Sequence, residues 1–140
     1  MIILPIKSRL QIVKERDNPK DVWTGRYVIL VIAETPNKNK GPTQFYRSIN
    51  FCRMLPVVTK KFHKKAVIRN KYRRILKEAF RQVDKTLLEN QHDYQLIIRK
   101  SIVEAKFISI IKDIEKCLQG KTIQGFPVDN KKNKKIIISF

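Results

Sequence analysis

With 140 residues, 42% of them hydrophobic, the chain is long enough for one domain with a buried core, which excludes wholesale disorder. Thirty-one Lys and Arg against 12 Asp and Glu leave a formal net charge of +19, so the partner is polyanionic, either nucleic acid or an anionic membrane surface. A membrane-spanning helix is excluded by length: the longest apolar run, Tyr27 to Ala33, is seven residues, and a span needs about 20.

The opening MIILPI lacks a basic leader and is broken by Pro5, so it reads as no secretory signal. Cys52 and Cys117 are isolated, without CxxC spacing, and read as reduced thiols of a cytoplasmic protein, the alternative being a disulfide or metal site. Residues 8–16, SRLQIVKER, form a first helix with Ser8 as its cap, and DNPKD (17–21) is a turn. RYVILVIAE (26–34) is a β-branched run typical of a strand buried on both faces. TPNKNKGPTQ (35–44) is a loop, and residues 45–60 are extended, with Pro56 marking an edge or a bulge.

Residues 66–88 have helical periodicity. After them, DYQLIIRK (93–100) is a strand. Residues 101–120 carry apolar side chains at 103, 107, 110, 111, 114 and 118, an amphipathic helix closed by Gly120. Residues 121–140 are a Lys-rich, loosely ordered extension; alternatively its final IIISF adds an edge strand. The order helix, strands, helix, strand, helix describes a single α/β (α+β) domain over residues 1–120, with helices packed on a sheet.

The segment KKFHKKAVIRNKYRRILKEAFR (60–81) concentrates the charge: ten of its residues are Lys or Arg and one, Glu78, is acidic. At about 100° per residue, Ile68, Tyr72, Ile75, Leu76, Ala79, Phe80, Val83 and Leu87 gather on one side, the stripe of a helix lying on a sheet. Asn70, Lys71, Arg73, Arg74, Lys77 and Arg81 take the opposite side. Arg69 sits at the border, and Lys60, Lys61, Lys64 and Lys65 extend the patch toward the helix start. A solvated helix face usually alternates Glu with Lys at i,i+4; here the pairs 69/73, 73/77 and 77/81 are all basic and repel each other. An external anion relieves that repulsion, and planar Arg suits phosphate. A lipid surface would need the apolar stripe that the sheet already uses, so RNA or DNA is the expected partner.

No catalytic set accompanies the patch. His63 and His92 stand alone, the acids are scattered without metal-ligand spacing, and there is no GxxxxGK loop. The chain reads as a binder with no metal or small-molecule cofactor of its own.

The basic segment resembles the signature of the bacterial ribonuclease P protein component, through Lys60, Lys61, Ala66, Val67, Arg69, Asn70, Arg73, Arg74, Lys77, Glu78, Phe80 and Arg81. The resemblance implies a ribosomal-protein-like two-layer sandwich. Its central mixed sheet has the order α-βββ-α-β-α, with a left-handed βαβ crossover around the basic helix. It also implies the protein subunit of a ribonucleoprotein that removes the 5′ leader of precursor tRNA. The RNA subunit then carries out the phosphodiester chemistry with Mg²⁺, and the protein contacts both the catalytic RNA and the leader. By the same resemblance the RNA-contacting residues are Arg69, Asn70, Lys71, Arg73 and Arg74, with Lys60, Lys61, Lys64 and Lys65 beside them; Asn70 contacts RNA or holds the helix start. Ala66, Val67 and Phe80 are core. The chain departs from the family at Leu55-Pro56, where a Gly is usual, and at Lys71, where the motif ends in Arg. It also lacks the family's aromatic residues on the first helix; Tyr27, Tyr46 and Phe51 are the candidates to stack on unpaired leader bases. The alternative function is a ribosome-associated or structured-RNA binder with this fold and no processing role.

Overall fold

The computed structural model describes residues 1–6, 9–35 and 50–120, and within its first helix the side chains from residue 12 onward. In chain order the elements are β1 (Ile2–Pro5), α1 (Arg9–Asp17), β2 (Asp21–Thr24), β3 (Val28–Glu34), β4 (Phe51–Val57), α2 (Ala66–Arg81), β5 (His92–Ile98) and α3 (Phe107–Leu118). Short 3-10 turns at Lys85–Leu87 and Lys100–Glu104 flank β5. The proposed Ser8 cap, Tyr46, most of the 35–44 loop and the 121–140 extension lie outside the described residues.

The strands form one mixed sheet in the order β1-β4-β5-β3-β2. β4 is parallel to both β1 and β5, whereas β3 runs antiparallel to β5 and β2 antiparallel to β3. β4 and β5 are therefore parallel neighbours joined through α2, which fixes the basic helix against the sheet. The mixed sheet and three helices agree with the expected α+β class.

Four boundaries differ from the sequence reading. The helix expected over 101–120 is shorter, Phe107–Leu118, and a separate 3-10 turn at Lys100–Glu104 precedes it, which leaves Val103 63% exposed instead of on the apolar face. The run expected as a single strand at 26–34 is the second arm of a hairpin, because DVWT pairs with Ile29–Ile32 as β2. The opening residues, given no element, are β1, held by Ile2 N donating to Asn50 O (3.1 Å) and Ile6 N to Met54 O (3.4 Å). The basic helix stops at Arg81 rather than near residue 88. Beyond it Asp84 starts a 3-10 turn, its Oδ1 accepting from Thr86 N (3.0 Å). Val83 remains buried, but as part of this turn.

Strand alternation splits the interior into two layers. Val28, Leu30, Ile32, Met54, Tyr94, Leu96 and Ile98 face α2 and α3, where they meet Leu76, Ala79, Phe80, Ile110 and Ile114. The Phe80 and Tyr94 rings lie 5.6 Å apart at this contact. Ile29, Val31, Val57 and Ile97 pack together on the far face. Each such fully buried side chain contributes about 1.5–3 kcal/mol relative to an exposed one. Pro56 stands where β4 has become an edge. Met54 O faces Ile6, so by alternation the Pro56 nitrogen points to the side where β1 has already ended.

α1 crosses the far face, where Gln95 Nε2 donates to Ile12 O (3.1 Å). A buried charged group lies there. Arg53 makes a two-pronged pair with Asp93, Nε to Oδ1 at 2.7 Å and Nη2 to Oδ2, and Thr35 Oγ1 donates to Asp93 Oδ1 (2.8 Å). Glu15, brought in by α1, is also buried. Burial, reinforced by neighbouring Asp93, pushes its carboxyl up to about 9, so it is uncharged at neutral pH. Cys52 and Cys117 are free and buried, and burial pushes both thiols up to about 12.

Candidate nucleic-acid interface

The cationic surface is built from α2 and the turn that precedes it. Phe62 N donates to Thr59 O (3.0 Å), closing a turn at residues 59–62. Phe62 is buried and meets Tyr72 of α2 edge-on, with ring centroids 4.9 Å apart. That apolar anchor leaves Lys60, Lys61, Lys64 and Lys65 exposed around it.

Two arginines brace the turn against the helix. Arg69 Nη1 donates to the carbonyls of His63 (3.1 Å) and Lys64 (2.7 Å). Arg73 Nη2 donates to Val58 O (3.0 Å), and its Nη1 to Asn70 Oδ1 (2.7 Å). Asn70 therefore orients Arg73; α2 begins after Lys65 with no side-chain cap. These acceptors are neutral, and among the described residues no carboxylate pairs with either guanidinium. His63 joins the same frame, its Nδ1 accepting from Lys65 N (3.1 Å).

Lys71, Arg74 and Lys77 are exposed and, among the described residues, make no ion pair or side-chain hydrogen bond. Arg81 pairs with Glu78 at 3.2 Å, but its side chain is 70% exposed and Glu78's is 48% exposed. Such a solvated pair contributes about 0–1 kcal/mol and exchanges readily for another anion. The start of α2 carries no acidic residue in its first turn and is surrounded by lysines. Cations at a helix N-terminus oppose the macrodipole, and a bound anion removes that cost.

All the basic residues expected at the site thus fall on one continuous surface, Arg69 and Arg73 half-buried and the rest exposed. The expected core assignment fails for Ala66 and Val67. Both are exposed, Val67 by 77%, while Phe80 is fully buried. The signal for Val67 was available: it precedes Lys71 and Arg74 by four and seven residues, so it shares their side of the helix and sits as an apolar contact among the cations.

Of the stacking candidates, Tyr46 lies outside the described residues, and Phe51 and Tyr27 do not join this surface. Phe51 is completely buried at the start of β4 and offers no ring face to a base, which corrects its assignment. Tyr27 is half-buried near α3, its backbone N donating to Asp113 Oδ2 (2.9 Å) and its ring 5.8 Å from the Arg26 guanidinium carbon. Among the described residues no three His, Cys, Asp or Glu side chains gather closely enough to hold a metal ion.

No curated relative matches by sequence. Among solved structures, the fold is similar to the RNase P protein of Thermotoga maritima, with a TM-score of 0.57 and 20% identity over 81% of this chain and 96% of that one. It is also similar to the Staphylococcus aureus RNase P protein, with a TM-score of 0.60 and 22% identity over 82% of this chain and 92% of that one. The Ribonuclease P family matches residues 10–121, a stretch that contains the whole cationic turn and helix, and the chain belongs to that family.

Proposed function

We propose that the chain is the protein subunit of ribonuclease P, binding the catalytic RNA and the precursor-tRNA 5′ leader and so promoting endonucleolytic removal of the leader. The observation that carries this reading is the uncompensated cationic face of α2, set on a family-matched fold. The division of labour follows from the chemistry available. Mg²⁺, held at the RNA active site, would supply activation of water and stabilisation of the leaving oxygen. The protein's lysines and arginines neutralise phosphates that would otherwise repel each other as the RNA folds and the substrate docks. Arg69 and Arg73, fixed on backbone carbonyls, present rigid forks, whereas the exposed Lys71, Arg74 and Lys77 adapt to the strand they meet. The reading implies a cytoplasmic protein; among the described residues no helix is long and apolar enough to cross a membrane.

The test mixes the protein with a cognate ribonuclease P RNA and precursor tRNA at low Mg²⁺. Protein-dependent cleavage at the mature 5′ end supports the reading. Tight RNA binding with no stimulation supports the structured-RNA binder without a processing role, and cleavage by an RNA-free preparation overturns the assignment of chemistry to the RNA.

A further inference from the structure

β1 lies ahead of the family-matched residues 10–121, and it builds a cavity. The space, about 460 Å³, is lined by Met1, Ile3, Leu4, Pro5 and Met54 from the sheet together with Lys77, Arg81 and Lys85. Its size falls within the usual range for small-ligand pockets, about 300–1,000 Å³. The wall is fixed, because β1 is paired in register with β4 from Ile2 to Pro5.

The two sides of the cavity differ in chemistry. The sheet side supplies apolar side chains and two thioethers, soft groups that make favourable contacts with aromatic rings. The helix side supplies cations. Lys85 is occupied, its Nζ donating to Arg81 O and to Val83 O (3.2 Å), so it covers the carbonyl end of α2. Lys77 is left to face a ligand, and Arg81 joins it by exchanging its solvated pair with Glu78. With Arg74 they form a row at i, i+3 and i+7, which runs from the exposed cationic face to the cavity mouth. An anion seated along α2 is thereby led to an apolar recess.

We propose that this cavity takes one unpaired nucleotide of the RNA held along α2, its base against the apolar wall of β1 and Met54 and its phosphate on Lys77 and Arg81. The proposal rests on the RNA-binding reading of α2 and adds to it a site made by the N-terminal strand. A base fits because its faces are apolar while its backbone is anionic, the same division the cavity shows.

Met1 and Met54 are the only two methionines in the sequence, and both line the cavity. Labelling the full chain with [methyl-¹³C]methionine therefore places both reporters at the site, and Met54→Leu assigns the two resonances. Three probes are compared by methyl NMR and by binding titration: a blunt RNA hairpin, the same hairpin with three unpaired uridines, and the same hairpin with three abasic residues. The uridine extension is expected to tighten binding about five- to twentyfold over the blunt hairpin and to move both methyl resonances upfield by ring currents; the abasic extension does neither. If the hairpins bind but uridines leave the methyls unmoved, the site is overturned and the RNA-binding reading of α2 stands. If no hairpin binds, that reading falls and the proposal with it. If laurate moves the methyls and the uridine extension does not, the cavity is a site for an anionic amphiphile and the proposal is wrong.

Discussion

Arg73 and Arg74 are neighbours in sequence with different work. Arg73 ties α2 to Val58 O and is itself oriented by Asn70, whereas Arg74 is exposed and has no ion pair among the described residues. Arg74→Ala should reduce RNA affinity and make the log–log salt slope shallower by about one, with the thermal midpoint unchanged. Arg73→Ala should produce the same loss of slope together with a lower midpoint, since a buried carbonyl loses its donor at about 1–3 kcal/mol. Salt titrations and thermal melts of the two variants separate the roles. The charges were legible in the sequence because helical spacing sorts them onto one side; the bracing was not, because its acceptors are backbone carbonyls from a segment with no spacing rule.

A second residue-scale constraint sits at the β2–β3 turn. The Asp113 carboxylate accepts from the backbone N of Arg26 (2.8 Å), Tyr27 (2.9 Å) and Val28 (3.3 Å). It fits because Gly25 has no side chain: a Cβ there would stand 2.5 Å from Asp113 Oδ2 and 2.8 Å from Cys117 Sγ. Gly25→Ala should lower stability by about 1–3 kcal/mol in denaturant unfolding, through overpacking and loss of these hydrogen bonds.

At the scale of elements, α1 carries the Glu15 carboxyl into the buried far face, where burial and neighbouring Asp93 favour its protonated form. Its folded value, about 9, lies above the ordinary 4.5, so between those values the folded state holds a proton that the unfolded chain releases. Stability from this group is therefore complete below about pH 4.5 and falls as pH rises toward 9. Glu15→Gln keeps the shape and removes the titration. Unfolding measured from pH 5 to pH 9 should show a flatter slope for the variant and a stability advantage over the native chain that grows with pH. An unchanged slope would show that Glu15 is ionised in the folded state.

Element boundaries also mark where sequence reading loses information. Leu76, Ala79 and Phe80 obey the helical stripe and are buried as expected. Val83 and Leu87 continue the same period although the helix has ended, because a local Asp84–Thr86 hydrogen bond overrides the pattern. β1 carries no alternation of its own and exists through pairing with a strand about 50 residues away, a contact that no local window contains. Phe51 looked available because extended segments often expose alternate residues, but the start of β4 is buried on both faces, its pattern reading Phe51 and Cys52 buried together.

Taken whole, the molecule keeps its buried acids away from the outer side of α2. Among the described residues three carboxyl groups are buried where they hold structure: Asp93 under Arg53, Asp113 under the hairpin turn and, in its uncharged form, Glu15 on α1. The outer side of α2 keeps a single acid, Glu78, among its cations. This segregation gives a +19 chain a place for its excess charge, and a solvated coat would have no need of it. The fold class followed from the order of elements along the chain together with the family resemblance, and the cationic face from helical periodicity and charge in one segment. The partner of the sheet's far face did not, since it depends on residues whose burial is set by distant strands.

The central claim is that the exposed cations of α2 seat folded RNA. The most direct measurement is the salt dependence of binding to the cognate ribonuclease P RNA, comparing the native chain with a variant carrying Lys71→Gln, Arg74→Gln and Lys77→Gln. The account predicts that the variant folds with an equal or higher thermal midpoint, as like-charge repulsion is relieved, and that its log–log slope is shallower by about two to three. An unchanged slope and affinity in a folded variant would contradict it.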